Sequence, residues 1–218
     1  MDPHPTPTPT HPATLPERLR LETRDLHAAA ERSGVMGDLL HGRLRLDSYR
    51  AMLSNLHAIY DALEAALDAR KADPQVAPLR MPGLYRAAAL ADDIDTLGGN
   101  EAVVEDAAAA YASRLAQIAQ AGSPALVAHA YVRYLGDLHG GQALKRVVAR
   151  TFGLGAEGTS FYEFGDDEEV RSHRTAFRAA LAALPVSPAD ADLIVAEARW
   201  AFTQHQQLFE QLQARHPG

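Results

Sequence analysis

Apolar residues recur at three- and four-residue steps along nearly the whole chain from Thr14 onward, and strict alternation is almost absent. That spacing predicts amphipathic helices rather than strands. Thr14 and Glu17 stand three apart with Pro16 just inside, a helix start, and the helix runs to about Arg32 before Ser33 and Gly34. A short helix over 36–40 ends at Gly42. Asp47 is the expected N-cap of a long helix over 48–71, whose apolar stripe is Met52, Leu53, Leu56, Ile59, Tyr60, Leu63 and Leu67. Asp73 and Pro74 break it. Further helices are expected over 83–96, closed by Gly98 and Gly99, and over 101–120, capped by Asn100. A long helical segment over 124–152 meets a glycine-rich loop at 153–158, and two last helices cover 167–184 and 188–214. Residues 160–164, with two Phe and a Tyr, read as an ordered loop. The fold class is therefore all-α, a single compact multi-helix domain over 14–215.

Residues 1–13 are a Pro/Thr-rich tail that cannot bury a core, and its His4 and His11 read as solvated. The remaining composition mostly excludes. Among 218 residues, 28 acids outweigh 21 bases, which disfavours nucleic acid as a partner. There is no cysteine, hence no disulfide, thiolate metal site or cysteine nucleophile. No Glu-x-x-His pair suggests a carboxylate-bridged di-iron bundle. No apolar run is long enough to span a membrane and no secretory leader is evident, so a cytoplasmic protein is expected.

Two constellations carry chemistry. On the first helix Arg20, Thr23, Arg24, His27 and Glu31 share one face. This is either a solvated stripe or a face addressed to an anionic ligand, with His27 as an axial metal ligand and Glu31 orienting it. In the segment YVRYLGDLHGGQ, Gly136, Gly140 and Gly141 fall inside a helix, each at a penalty of about 0.5–1 kcal/mol against alanine. Gly136 and Gly140 share a face, which suits either tight helix packing or a planar ligand against bare backbone. Asp137 between Leu135 and Leu138 is either paired, for example with Arg133, or placed to hold ordered water.

These segments resemble the haem oxygenases. The likeness rests on YVRYLGDLHGGQ preceded by LVAHA, on LRLETRDLHAAAERSGVM around His27, and on the closing FTQHQQLFEQLQ, and spans about residues 15–213. It implies haem sandwiched between a proximal and a distal helix, with His27 on the iron and Glu31 beside it. It implies a distal set of Asp137, Tyr131 and Arg133, and haem contacts from Gly136, Gly140 and Gly141. The basic contacts to the haem carboxylates fall on Arg20, Arg24, Arg174 and Arg178, with Thr23 alongside, and Phe202, His205 and Phe209 line the pocket. The family more commonly carries Lys at these basic positions; Arg keeps its charge and binds carboxylate bidentately. His139 stands where the family commonly has Ser; it reads as a surface or network histidine, a partner of distal water, or a reversible iron ligand. The implied reaction is cleavage of haem by O₂ and electrons to biliverdin, Fe(II) and CO, at the α-meso carbon. The external reductant would be a ferredoxin, a flavodoxin or their reductase, and a phytochrome could accept the bilin. A haem carrier or sensor without turnover is the competing reading, and a purely structural helical protein a remoter one.

Overall fold

A computed structural model describes residues 13–99 and 103–216. The tail before residue 13, including His4 and His11, and the expected cap Asn100 lie outside the described residues. Among the described residues the regular structure is helical throughout. The helices are α1 (Leu15–Arg32), α2 (Gly34–Leu40), α3 (Leu46–Ala69), α4 (Ala87–Thr96), α5 (Asp106–Gln120), α6 (Leu126–Ala130), α7 (Gly136–Phe152), α8 (Asp167–Ala182) and α9 (Pro188–Arg215). No helix is long and apolar enough to cross a membrane among the described residues.

The first helix starts as its sequence dictates: the Thr14 N–H donates to Glu17 at 2.8 Å in a capping box. The start of α3 differs. Its N-cap is Arg45, without a side-chain cap, and Asp47 lies inside the first turn. There its charge faces the positive end of the helix dipole instead of capping it. The expected helix over 83–96 begins only at Ala87, because Pro78 and Pro82 divide the approach into 3₁₀ turns, Ala77–Leu79 and Pro82–Leu84. The fifth helix starts at Asp106 rather than at 101. Buried Asn55 on α3 sets that boundary, accepting from the Glu105 N–H at 2.7 Å and donating to the Val103 carbonyl at 3.1 Å.

The long segment over 124–152 is not one uniform helix. Between α6 and α7 the chain makes a π-turn, Tyr131–Leu135. The irregularity precedes the glycines, which sit inside regular α7. Residues 160–164 are the ordered loop expected, with a 3₁₀ turn at Ser160–Tyr162. Buried Asp93 of α4 holds that turn, accepting from the Ser160 and Phe161 N–H groups at 2.8 Å each.

The core is continuous. Helix α9 packs on α1, α2, α5 and α6, while α3 packs on α4 and α5. Gly34 permits the tightest approach: its φ is +44°, and a Cβ there would lie 2.0 Å from the Phe209 carbonyl oxygen. A polar knot joins α5, α6 and α9. Glu197 accepts two bonds from Arg114, at 3.0 and 2.7 Å, and one from His129 Nε2 at 3.2 Å, while His129 Nδ1 meets the Tyr111 hydroxyl at 2.9 Å. Burial alone would raise Glu197; the bonds from His129 and Arg114 prevail and bring it down to about 2. A depressed carboxylate stabilises the fold above its unfolded value and loses that contribution as pH falls through the folded one. The knot should therefore contribute about 3 kcal/mol at neutral pH, lost between about pH 4.5 and 2. Denaturant titrations across that range check this: the wild-type advantage over Glu197→Gln should shrink on acidification, and an advantage independent of pH would refute it.

Candidate functional site: a cleft between the first helix and the glycine helix

Helices α1 and α7 face each other across an inner cleft of about 350 Å³, whose lining includes His27 and Glu31 on one side and Gly136, Asp137 and Gly140 on the other. Met52 and Leu56 from α3, Phe161 and Tyr162 from the anchored loop, and Phe202 and Phe209 from α9 make the rest largely apolar. His27, Gly136, His139 and Phe202 also border an outer cleft, which Arg20, Tyr131 and Arg178 line toward solvent.

On α1 the shared face divides. The His27 side chain is about half exposed, 49 %, and its Nδ1 lies 3.7 Å from Glu31, near enough for electrostatic pairing but long for a hydrogen bond. Phe202 sets its ring edge-on against the imidazole, 5.6 Å between centroids. Arg20 borders the outer cleft. Thr23 does not reach out: it is buried, and its hydroxyl donates to the Leu19 carbonyl at 2.7 Å. Arg24 is exposed, as Arg20 and His27 are, and its guanidinium lies 3.3 Å from Asp25.

On α7 the glycines also divide. A Cβ at Gly136 or Gly140 would meet nothing within 4 Å, so both present bare backbone to open space. Gly141 is turned away from the cleft. Its Cβ direction meets Tyr162 and Phe164 at 3.9 Å, so its smallness serves helix–loop packing. The bare strip is thus two glycines rather than three.

Below the strip lies a buried polar cluster. Asp137 accepts from Arg133 at 3.1 Å and from the Tyr60 hydroxyl. Arg133 also donates to the Tyr60 oxygen at 2.9 Å and to His205 Nε2 at 2.9 Å, and His205 Nδ1 meets the Ala201 carbonyl at 2.8 Å. The sharing fixes the tautomer: His205 donates from Nδ1 and accepts at Nε2, and is therefore neutral. Burial, with the Arg133 charge beside it, lowers His205 to about 3. Burial raises the Asp137 carboxyl, against the downward pull of Arg133 and Tyr60. Asp137 is paired with Arg133 and also borders the cleft.

Tyr131 takes no part in the hydrogen bonds of this cluster. It lies at the outer cleft, and the phenol bonded to Asp137 is Tyr60. The sequence gives Tyr60 only as a member of an apolar stripe; nothing in one chain says that its hydroxyl meets a residue 77 positions away. On the outer rim His139 Nδ1 meets the Leu135 carbonyl at 2.6 Å and its Nε2 meets Arg178 at 2.7 Å. Arg174, one turn before Arg178, is half-buried and lines neither cleft. Phe209 and His205 line the inner cleft as expected.

A sequence model of the family described as "Heme oxygenase" matches residues 13–211. The chain belongs to the haem oxygenase family. Its relatives include "Heme oxygenase 1" of Synechocystis sp., 35 % identical over 91 % of this chain and 85 % of that one, and "Heme oxygenase" of Porphyra purpurea, 34 % identical over 92 % and 87 %. The crystal structure of the Synechocystis enzyme in complex with haem superposes with a TM-score of 0.87, covering 93 % of this chain and 94 % of that one at 34 % identity. The haem oxygenase of Leptospira interrogans superposes with a TM-score of 0.86 at 32 % identity, covering 91 % and 100 %. Membership makes the chain a haem-degrading enzyme, and the apolar cleft with one imidazole opposite a bare glycine strip fits a flat, metal-centred macrocycle.

The glycine strip yields a sharp expectation. Gly140→Ala adds a methyl where nothing stands within 4 Å, so the free protein gains helix stability of about 0.5–1 kcal/mol, roughly 1–4 °C in melting temperature. Haem affinity should fall by about tenfold, since the methyl occupies ligand space. Thermal melts and haem titrations check both signs; a variant that gains stability and keeps full affinity would show that the strip does not touch the ligand.

Proposed function

We propose that the cleft seats haem as substrate and cofactor together, with His27 on its iron. The enzyme would cleave it with O₂ and external electrons to biliverdin, Fe(II) and CO. One observation carries the reading: His27 and the bare backbone at Gly136 and Gly140 border one cleft, and the buried Asp137 carboxyl lies beside the glycines. Haem, once bound, supplies the iron and oxygen chemistry, and the protein's work is seating, orientation and proton supply.

Glu31 faces Nδ1 of His27, which leaves Nε2 for the metal. The glycine strip keeps side chains off the opposite face and leaves room for a small ligand. Asp137, with its affinity for a proton raised by burial, is the proton donor of this reading beside the strip, and Arg133, Tyr60 and His205 keep the carboxyl in place. Arg20 and Arg178 at the mouth, with Arg174 behind, receive the acidic edge of the haem. Retained cations at these positions support cleavage at the α-meso carbon, and chromatography giving mainly another biliverdin isomer would refute that part. A ferredoxin or flavodoxin system is the class of donor proposed, and the cytoplasm the compartment; a phytochrome is a candidate acceptor of the bilin.

The deciding experiment mixes the protein with an equal amount of haemin, then adds ascorbate or a reductase system in air. Decay of the Soret band with growth of a broad red band, and CO captured by a globin, is expected. A Soret band that survives reductant and O₂ would make the protein a carrier or sensor instead.

A further inference from the structure

His139 is bonded at both ring nitrogens. Nδ1 meets the Leu135 carbonyl one turn back, at 2.6 Å, so it carries the hydrogen; Nε2 therefore accepts from Arg178 at 2.7 Å. The imidazole joins the glycine helix to α8 at the rim of both clefts. Arg178 forms no ion pair with any carboxylate of the described residues. This combination matters physically. A carboxylate partner would fix Arg178 but neutralise it. A neutral imidazole fixes it and leaves its full charge, and its other N–H groups, for an incoming anion.

We propose that His139 is a positioning residue that presets Arg178 for a carboxylate of the bound haem, and so selects one in-plane orientation of the macrocycle. The proposal rests on the reading that haem occupies this cleft with His27 on its iron. Preset geometry removes the ordering of a long side chain from the binding step. It also fixes which edge of the ring is held at the mouth and which lies deep in the cleft. A serine at this position is too short to span the distance to Arg178.

The test compares wild type, His139→Ala, His139→Gln, Arg178→Ala and the double alanine variant. Proton NMR of the cyanide-bound ferric complexes counts haem orientations, and haem titrations give affinities. Wild type should show one dominant orientation. His139→Ala should show two, with affinity reduced by roughly threefold to tenfold, because Arg178 must then be ordered in the binding step. Arg178→Ala should reproduce both effects, the double variant should add little to either, and His139→Gln, whose amide oxygen can accept from Arg178, should restore the single orientation. Three results would overturn the proposal. One is a single unchanged orientation in His139→Ala; another is fully additive effects of the two alanine changes. The third is a wild-type ferric spectrum with two imidazoles on the iron that loses one in His139→Ala, because the ring would then sit on the metal and not on Arg178. His27→Ala run alongside tests the seat separately: an unchanged iron–imidazole spectrum there would overturn the seat, and this proposal with it.

Discussion

Asp137→Ala is expected to bind haem with nearly wild-type affinity and to form biliverdin at a rate lower by about 10²-fold or more, the range for loss of a positioned proton donor. The expectation follows from two facts of place. The carboxyl borders the inner cleft beside the glycine strip, yet it lies across from His27 and bears no part of the seat on α1. Burial raises its proton affinity above that of an exposed aspartate, against the pull of Arg133 and the Tyr60 bond. Asp137→Asn is the informative companion. It retains the shape and an oxygen for Arg133, but it has no acidic proton to give. If both variants are slow, the proton matters; if only Ala is slow, the carboxyl acts through the geometry of Arg133 and Tyr60. Single-turnover spectra with a fixed reductant measure the effect, and a normal biliverdin yield from either variant would remove Asp137 from the chemistry.

Arg133→Met should destabilise the fold by roughly 3–5 kcal/mol, the usual consequence of removing one member of a buried ion pair. Arg133 bonds to Asp137, Tyr60 and His205 at once, and thereby ties the glycine helix to α3 and α9. Without it the Asp137 carboxyl is buried with a single phenolic partner. Its affinity for a proton then rises further above that of the unfolded chain. The unfolded carboxyl is the same in both proteins, so the deficit should widen as pH rises through the range where the wild-type folded carboxyl ionises and the variant's does not. Adding Asp137→Asn removes the stranded charge and should recover part of the loss. Urea midpoints at two pH values settle the matter; a loss below about 1 kcal/mol, independent of pH, would mean that the cluster does not join these helices.

The two sites of change were not equally visible before the structure. Three- and four-residue periodicity, with the Thr14–Glu17 box, marks helices such as α1, α8 and α9, whose ends the structure places within a few residues, while the Asp166 cap of α8 is seen only in the structure. His27, Gly136, Asp137 and Gly140 stand out because each is a local anomaly: an imidazole among arginines, or glycines and an acid within a helix. What one chain cannot show is partnership across the fold. Tyr60 looks like any core tyrosine until Asp137 is set beside it, and Asp93 looks like a helical surface acid until its carboxyl is seen holding the loop of Phe161. Gly141 fails in the opposite way. It shares a motif with Gly140 but not a direction, and a neighbouring position on a helix looks 100° elsewhere. Thr23 is likewise turned inward, a burial that its place beside Arg20 and Arg24 does not announce.

The π-turn between α6 and α7 acts as a phase shifter. An extra residue in one turn resets the angular count, so side chains before it and after it answer to different clocks. Before it, His129 is timed to reach Glu197 and Tyr111 in the interior. After it, Gly136 and Gly140 are timed to face the cleft. Excising one residue from Tyr131–Leu135 would restore a smooth helix with the downstream faces nearly unmoved, whereas straightening the segment with every residue kept would swing the glycines about 100° off the cleft. What the segment keeps in step is the count of residues and the turn that absorbs the extra one.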